Sequence, residues 1–261
     1  MSAQGVSRTT VKWLDGTVRL LAVEVVLVVG LAVGVAAARA LVRFVAAVTT
    51  PGGLAAQSTT LNGSWYPDRP WLDLAAQLVS IVALVLPAAL AVHLALRDGT
   101  WADLGLTARR WARDVGVGLG IAAAVGGAGL ALYLGSRALG LSLEVQASGL
   151  PWHWWTVPVL VLAAGANAVL EEVVVVGYLL RRLEQLGVPA ARAAWISAAI
   201  RSVYHAYQGV AGLVGNLVMG LLFARWFHRT RRLVPLIVAH WAIDVAAFVG
   251  YALLADRVGS L

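Results

Sequence analysis

The sequence predicts an all-α, polytopic transmembrane helical bundle with about seven to eight spans. Of its 261 residues, 60% are hydrophobic and only 13% are charged, and the mean hydropathy is +0.80. A soluble globular domain carries far more charge than this. The apolar runs are long and continuous, unlike the short alternating segments of an outer-membrane barrel. We therefore expect residues 1–261 to form a single integral membrane domain.

Hydropathy places the spans in order along the chain. The first apolar run follows basic residues but is too long for the core of a signal peptide, so we interpret it as an uncleaved span. The fifth run is short and interrupted by polar residues. The candidate spans cover approximately residues 20–42, 74–96, 115–134, 155–180, 193–207, 210–227 and 233–254.

The basic residues predict the orientation of the bundle. The net charge is +7, and the basic residues lie mainly before the first span and after the second, fourth and sixth. Cytoplasmic loops carry such an excess, so we expect a multi-pass protein of the cell membrane with a cytoplasmic N-terminus. This group contains Arg8, Lys12, Arg19, Arg97, Arg109, Arg110, Arg113, Arg181, Arg182, Arg192, Arg225, Arg229, Arg231 and Arg232. The opposite side holds only Arg39, Arg43, Arg69, Arg137 and Arg257.

Composition also excludes several classes of function. The chain contains no cysteine, so it can form no disulfide, thiol nucleophile or cysteine-ligated metal site. A basic protein can bind nucleic acid, but membrane topology explains the placement of these arginines better. We expect membrane lipids as partners, and no nucleic acid.

Two adjacent glutamates inside the fourth span are the most informative feature of the chain. A charged side chain at the bilayer centre costs roughly 2.5–3.5 kcal/mol on insertion scales, so Glu171 and Glu172 need partners. Neighbouring residues lie about 100° apart around a helix. We therefore expect one glutamate to face a catalytic centre and the other to meet a different partner.

The later spans add polar residues at a similar depth. Arg201 and His205 are four residues apart, as are His240 and Asp244, so each pair shares a helix face. With a rise of about 1.5 Å per residue, these side chains and Asn216 fall in one slab of the bilayer with the glutamates. A structural hydrogen-bond network is the competing explanation, but it would more naturally use serine, threonine and asparagine. The isolated Glu24 and His93 are expected to be structural.

A glutamate with two histidines can support hydrolysis by two routes. In one, Glu171, His205 and His240 bind a divalent metal such as zinc, which activates a water molecule. In the other, which uses no metal, a glutamate and a histidine activate the water as general base. A second histidine and a carboxylic group then stabilise the oxyanion. The sequence leaves both routes open.

The ordered motifs resemble the CPBP family of intramembrane proteases, which includes CAAX prenyl proteases and the bacteriocin-processing Abi proteins. The family pattern is Glu-Glu-x-x-x-Arg, then Phe-x-x-x-His, then His-x-x-x-Asn/Asp, on successive membrane helices. Glu171-Glu172, His205, and His240 with Asp244 match it. The resemblance covers residues 155–251, which we expect to be the catalytic core.

The resemblance implies an endopeptidase that cleaves membrane-associated or lipidated peptides. It implies that Glu171 acts on water with His205, while Glu172 orients or tunes the site. His240 and Asp244 would bind a metal or support the oxyanion. Asn216 is expected to support this site.

Two positions depart from the family pattern. Val176 stands where the family has its arginine, and Arg201 stands where it has its phenylalanine. We hypothesise that the arginine has moved to the next helix and that Arg201 pairs with Glu172, which would offset the burial of both charges. Without such a pair, the departures predict weakened or altered activity.

Two other functions remain alternatives at this stage. A catalytically silent relative would act as a membrane scaffold or a bacteriocin-immunity protein. A proton-coupled transporter would also contain intramembrane glutamate and histidine, because these residues build proton relays. Transporters often contain inverted repeats, and the sequence shows no convincing repeat.

Overall fold

Membrane-length helices dominate the computed structural model, which describes residues 8–107 and 110–258, with side chains at 16–107 and 110–254. Arg109 and the side chains of Arg8, Lys12 and Arg257 lie outside this description, so their part in the predicted orientation stays a prediction. The helices are α1 (Arg8–Val29), α2 (Val35–Thr49), α3 (Pro70–Leu96), α4 (Trp111–Ala138), α5 (Thr156–Glu171), α6 (Leu179–Gln185), α7 (Ala190–Tyr204), α8 (Val210–Thr230) and α9 (Val234–Val258).

Two π-helical segments join some of these helices into longer ones. Gly30–Gly34 makes α1 continuous with α2, and Glu172–Tyr178 makes α5 continuous with α6. Short 3₁₀ turns cover Leu54–Ala56 and Ala206–Gln208. The result is an almost entirely helical chain, which confirms the predicted fold class.

Six helical stretches of the described chain are long and apolar enough to cross a membrane. They are Gly16–Thr49, Pro70–Leu96, Trp111–Ala138, Thr156–Gln185, Val210–Thr230 and Val234–Leu254. Helix α7 corresponds to the fifth predicted span, and its 15 residues reach only about 22 Å. That is less than the hydrocarbon thickness of about 30 Å. All seven predicted segments are thus helical, but α7 is too short to span alone.

The stretch formed by α5, its π-helical segment and α6 is the central helix of the bundle. In its most apolar window, 67% of the residues are buried inside the protein, against 11–33% for the other five spans. Every residue from 170 to 183 is buried. Both glutamates therefore lie in protein and not against lipid, as polar groups at this depth require.

One end of the bundle is tied together by a small parallel sheet that the sequence analysis did not predict. Strand β1 (Ser58–Thr60) pairs with β2 (Glu144–Gln146), and a further bridge joins Gly63 to Gly149. The loop after α2 and the loop before α5 therefore meet at the same end, as the predicted topology requires.

The opposite end is held by ion pairs of the arginines that predicted the topology. Arg182 Nη1 lies 2.6 Å from Asp98 Oδ2, and Arg231 Nη1 lies 2.7 Å from Glu184 Oε2. Arg232 pairs with the buried Asp114. These arginines thus connect the loops and helix ends on this side, in addition to any topological role.

Glu24 has the structural role expected for it. Its Oε1 accepts a hydrogen bond of 2.8 Å from the Tyr178 hydroxyl and lies 2.9 Å from Arg182 Nη2. These two contacts attach α1 to the end of the central helix.

Candidate active site

The two glutamates lie at the junction between α5 and the π-helical segment. Glu171 is the last residue of α5, and Glu172 is the first of the wider turn. Single π-helical turns of this kind occur frequently at functional sites. The buried Ser197 hydroxyl on α7 donates a 2.7 Å hydrogen bond to the carbonyl oxygen of Val175, which satisfies one acceptor of the segment.

Glu172 is bound by two partners from different helices. Its side chain has no exposed surface, and its Oε1 accepts hydrogen bonds from Arg201 Nη2 at 2.6 Å and His240 Nδ1 at 2.7 Å. Arg201 on α7 is likewise fully buried. The predicted pairing of Arg201 with Glu172 is therefore confirmed.

Glu171 faces a different set of groups. Its Oε2 accepts a 2.7 Å hydrogen bond from the Tyr204 hydroxyl, and Arg201 Nη1 lies 3.5 Å from the same oxygen. Its other oxygen, Oε1, lies 3.8 Å from His205 Nε2. The glutamates thus diverge as predicted, and Arg201 is the group that both of them approach.

A hydrogen bond of His205 indicates which of its two ring nitrogens carries the hydrogen and which faces Glu171 without one. Nδ1 lies 3.0 Å from the carbonyl oxygen of Arg201. A carbonyl can only accept, so Nδ1 carries the hydrogen and Nε2 of the neutral ring has a free lone pair. The 3.8 Å between Nε2 and Glu171 Oε1 is too long for a direct hydrogen bond, and one water could bond to both atoms.

His240 and Asp244 complete the polar cluster from α9. While His240 Nδ1 binds Glu172, its Nε2 lies 3.6 Å from Asp244 Oδ2. The His240 ring therefore lies between two carboxylates. Asn216 is less closely connected, because its Nδ2 donates to the carbonyl of Gly212 in its own helix, at 3.0 Å. Its supporting role stays a prediction.

Close packing of α7 against α8 positions Arg201. A Cβ atom on Gly220 would lie 2.8 Å from the Cα of Ala198 and 3.5 Å from Cδ of Arg201. Only glycine permits this approach. The Arg201 guanidinium also lies over the Phe223 ring, 5.4 Å from its centroid. A cation over an aromatic face gains a modest electrostatic stabilisation.

Tyr204 is a site residue that the sequence analysis missed. It directly precedes His205, and neighbours in a regular helix point in directions about 100° apart. Helix α7 ends at Tyr204, however, and the chain continues through His205 into a 3₁₀ turn. The two rings lie 4.7 Å apart, and both approach Glu171. The early helix end carries no glycine or proline signal.

The donor set does not form a metal site in this arrangement. Among the described side chains, at residues 16–107 and 110–254, no group of three or more histidine, aspartate or glutamate side chains could hold a metal ion. Arg201 already places a positive charge beside both carboxylates. The predicted zinc ligands Glu171, His205 and His240 therefore do not fit a three-ligand site as they stand, and the metal route stays a prediction.

Comparison with known families gives one match. Residues 153–246 match a family described as type II CAAX prenyl endopeptidase, Rce1-like. The matched segment runs from just before α5 into α9 and contains every residue predicted to be catalytic. A search of curated proteins found no match. A search of solved structures found none either.

Proposed function

We propose that the chain is an intramembrane protease of the CPBP family, on the strength of the Rce1-like match at residues 153–246, and that it hydrolyses peptide bonds with water activated by Glu171 and His205. One observation carries this proposal. Glu171 Oε1 and His205 Nε2 face each other at 3.8 Å, too far apart for a direct hydrogen bond. A water between them would donate one hydrogen to each. The proposed substrate is a hydrophobic or lipidated peptide at the membrane.

In the first step, the Glu171 carboxylate takes a proton from this water. The water oxygen attacks the peptide carbonyl carbon, and the electron pair of the C=O bond moves to the carbonyl oxygen. His205 holds the water through the lone pair of Nε2. General base catalysis of this kind contributes about 10²–10⁴-fold.

In the second step, the tetrahedral intermediate loses its amine. The C–N bond breaks, and Glu171 returns its proton to the leaving nitrogen, so that an acid and an amine result. Doubly protonated His240 would donate Nδ1–H to Glu172 and Nε2–H to the oxyanion. Arg201 balances the buried charge of Glu172 and fixes that carboxylate for His240.

Turnover measurements on the full chain in lipid vesicles test the proposal. The probes are a fluorogenic membrane peptide with a farnesylated cysteine four residues from its end and the same peptide without the farnesyl group. Glu171→Gln and His205→Ala are each expected to lower kcat by at least about 100-fold. His93→Ala is the matched control, because His93 is exposed on α3.

Unchanged turnover in both site variants would refute the assignment. A chelator distinguishes the two routes. Full activity in its presence supports the glutamate mechanism, and loss that added zinc restores supports the metal route. A wild-type protein that binds the probes and cleaves neither would instead be a catalytically silent scaffold.

A further inference from the structure

A cavity of about 360 Å³ lies between α3, α5 and the loop that follows β1. Its volume falls in the range of ligand-binding pockets. The wall is mixed, with apolar side chains such as Ile81 and Leu84 beside the polar Ser80 and Asn167. None of the residues in the proposed mechanism lines it, so it requires its own explanation.

The Asn167 carboxamide in this wall has no hydrogen-bond partner within the described chain. It is half-buried in a helix long and apolar enough to cross a membrane, and no group among residues 16–107 and 110–254 hydrogen-bonds to its side chain. A polar group that lines a cavity is stabilised by a hydrogen-bonding partner there. Asn167 is therefore suited to a ligand that both donates and accepts hydrogen bonds.

The position of Asn167 relates the cavity to the proposed chemistry. It lies four residues before Glu171 on α5, so both side chains lie on one face of the helix, about 6 Å apart along its axis. An extended peptide advances about 3.3 Å per residue. The distance corresponds to about two residues of a bound chain.

The loop that follows β1, which forms one wall of the cavity, is held in place before any ligand binds. The Asp73 carboxylate accepts hydrogen bonds from the Ser64 hydroxyl and from the Trp65 and Tyr66 backbone amides, at 2.8–3.2 Å. Gln77 Nε2 donates to the Gly63 carbonyl at 2.9 Å. The anchors Asp73 and Gln77 are both buried, and such preorganisation lowers the ordering cost of binding.

We propose that this cavity binds the peptide substrate about two residues from the scissile bond, and that Asn167 hydrogen-bonds the main chain there. The carboxamide matches the donor and acceptor of one peptide unit, and the apolar wall accommodates an aliphatic side chain. This inference rests on the proposed endopeptidase function. It makes Asn167 a binding residue, distinct from the groups that act on water.

Steady-state kinetics of Asn167→Leu provide the first test. This change keeps the side-chain volume but removes both hydrogen-bonding groups. With the fluorogenic peptide that the wild type cleaves, KM is expected to rise at least about tenfold, as for two lost neutral hydrogen bonds, while kcat stays within about twofold. An unchanged KM, or a loss confined to kcat, would overturn the proposal.

Disulfide trapping gives a second test that needs no turnover. The chain has no cysteine, so a single cysteine can be placed at Ser80 in the cavity wall or at the exposed Leu162 on α5 as control. Both are made in the Glu171→Gln background. The probe is the same peptide with its farnesylation-site cysteine changed to serine and with one cysteine two residues from the scissile bond.

Trapping at Ser80→Cys, absent at Leu162→Cys and suppressed by excess cysteine-free peptide, supports the proposal. Three results contradict the proposal: no trapping at Ser80→Cys, equal trapping at both sites, or trapping that the excess peptide does not suppress. The last of these is expected if lipid fills the cavity. If the wild type cleaves the peptide but no trapping is seen, the peptide site in the cavity is refuted and the endopeptidase function is not. Trapping without wild-type cleavage refutes the endopeptidase function while supporting the peptide site.

Discussion

Arg201 Nη2 on α7 lies 2.6 Å from Glu172 Oε1 on the central helix, and neither side chain has any exposed surface. In the family pattern the arginine stands four residues after the second glutamate, at the position of Val176 in this chain. Burial of a carboxylate together with a guanidinium offsets the two charges, whereas either charge buried alone is strongly destabilising.

Removal of Arg201 is therefore expected to destabilise the protein. Arg201→Leu leaves Glu172 buried without its counter-charge, at a cost of about 3–5 kcal/mol. The thermal unfolding midpoint in detergent should fall clearly, and Arg192→Leu on the exposed side of the same helix should change it little. Equal midpoints for the two variants would show that Arg201 does not balance Glu172.

Restoring the family residues at both position 176 and position 201 should recover part of the activity that a change at position 201 alone removes. Arg201→Phe alone is expected to lower kcat by at least about 100-fold, because Glu172 and His240 lose their fixed arrangement. Adding Val176→Arg restores the family pattern and should regain at least about tenfold of that loss. Peptide turnover measures both, with Val176→Arg alone as control. A double variant no more active than Arg201→Phe would contradict the idea that the arginine moved between helices.

The Tyr204 hydroxyl should matter for catalysis more than for folding. Tyr204→Phe removes its 2.7 Å hydrogen bond to Glu171 and keeps the ring against His205. We expect kcat to fall about tenfold, because the carboxylate is no longer held toward the water, while KM changes little. Tyr251→Phe on α9 is the matched control. Equal kinetics in both variants would remove Tyr204 from the site.

The contact at Gly220 should be sensitive to a single methyl group. Gly220→Ala brings a Cβ within 2.8 Å of the Ala198 backbone, and such overpacking typically costs about 1–3 kcal/mol. We expect a lower unfolding midpoint together with lower activity, since α7 carries Arg201 and Tyr204. In Gly215→Ala the nearest atom, Cδ2 of Leu132, would be 3.5 Å away, so this control should behave as wild type. Two equally active and stable variants would exclude tight packing here.

The predicted orientation can be tested with single cysteines in this cysteine-free chain. Asp68 lies in the loop before α3, and Ala190 begins α7 near the opposite end; both are exposed. A membrane-impermeant maleimide should label Asp68→Cys in intact cells and Ala190→Cys only after permeabilisation. The reverse pattern would place the N-terminus outside.

The sequence was sufficient to predict the helices and the divergence of the glutamates, because burial of charge in a membrane is costly and helix geometry is regular. The partner of Glu172 was also predictable, since Arg201 lies one turn before His205. The irregular parts of the backbone could not be predicted from the sequence. Neither the π-helical segment at Glu172 nor the early end of α7 at Tyr204 has a local sequence signal. In the π-helical segment, the Val175 carbonyl is satisfied by Ser197 of another helix, a tertiary contact that no local pattern reveals. Tyr204 was missed because the early end of α7 has no such signal.

The π-helical segment has a consequence for how this chain tolerates insertions and deletions. A single π-helical turn is equivalent to one extra residue in an α-helix. Deleting one residue among Val173–Val176 would therefore allow a regular α-helix in which the glutamates keep their direction relative to Tyr178 and Arg182. Straightening the segment without a deletion would instead rotate the glutamates by about 100° relative to those two residues. Since Tyr178 and Arg182 are fixed to α1 through Glu24, glutamates rotated in that way could no longer meet Arg201 and His205. The wider turn over this valine run therefore sets the direction of both glutamates, and the chain should tolerate loss of one valine better than loss of the turn.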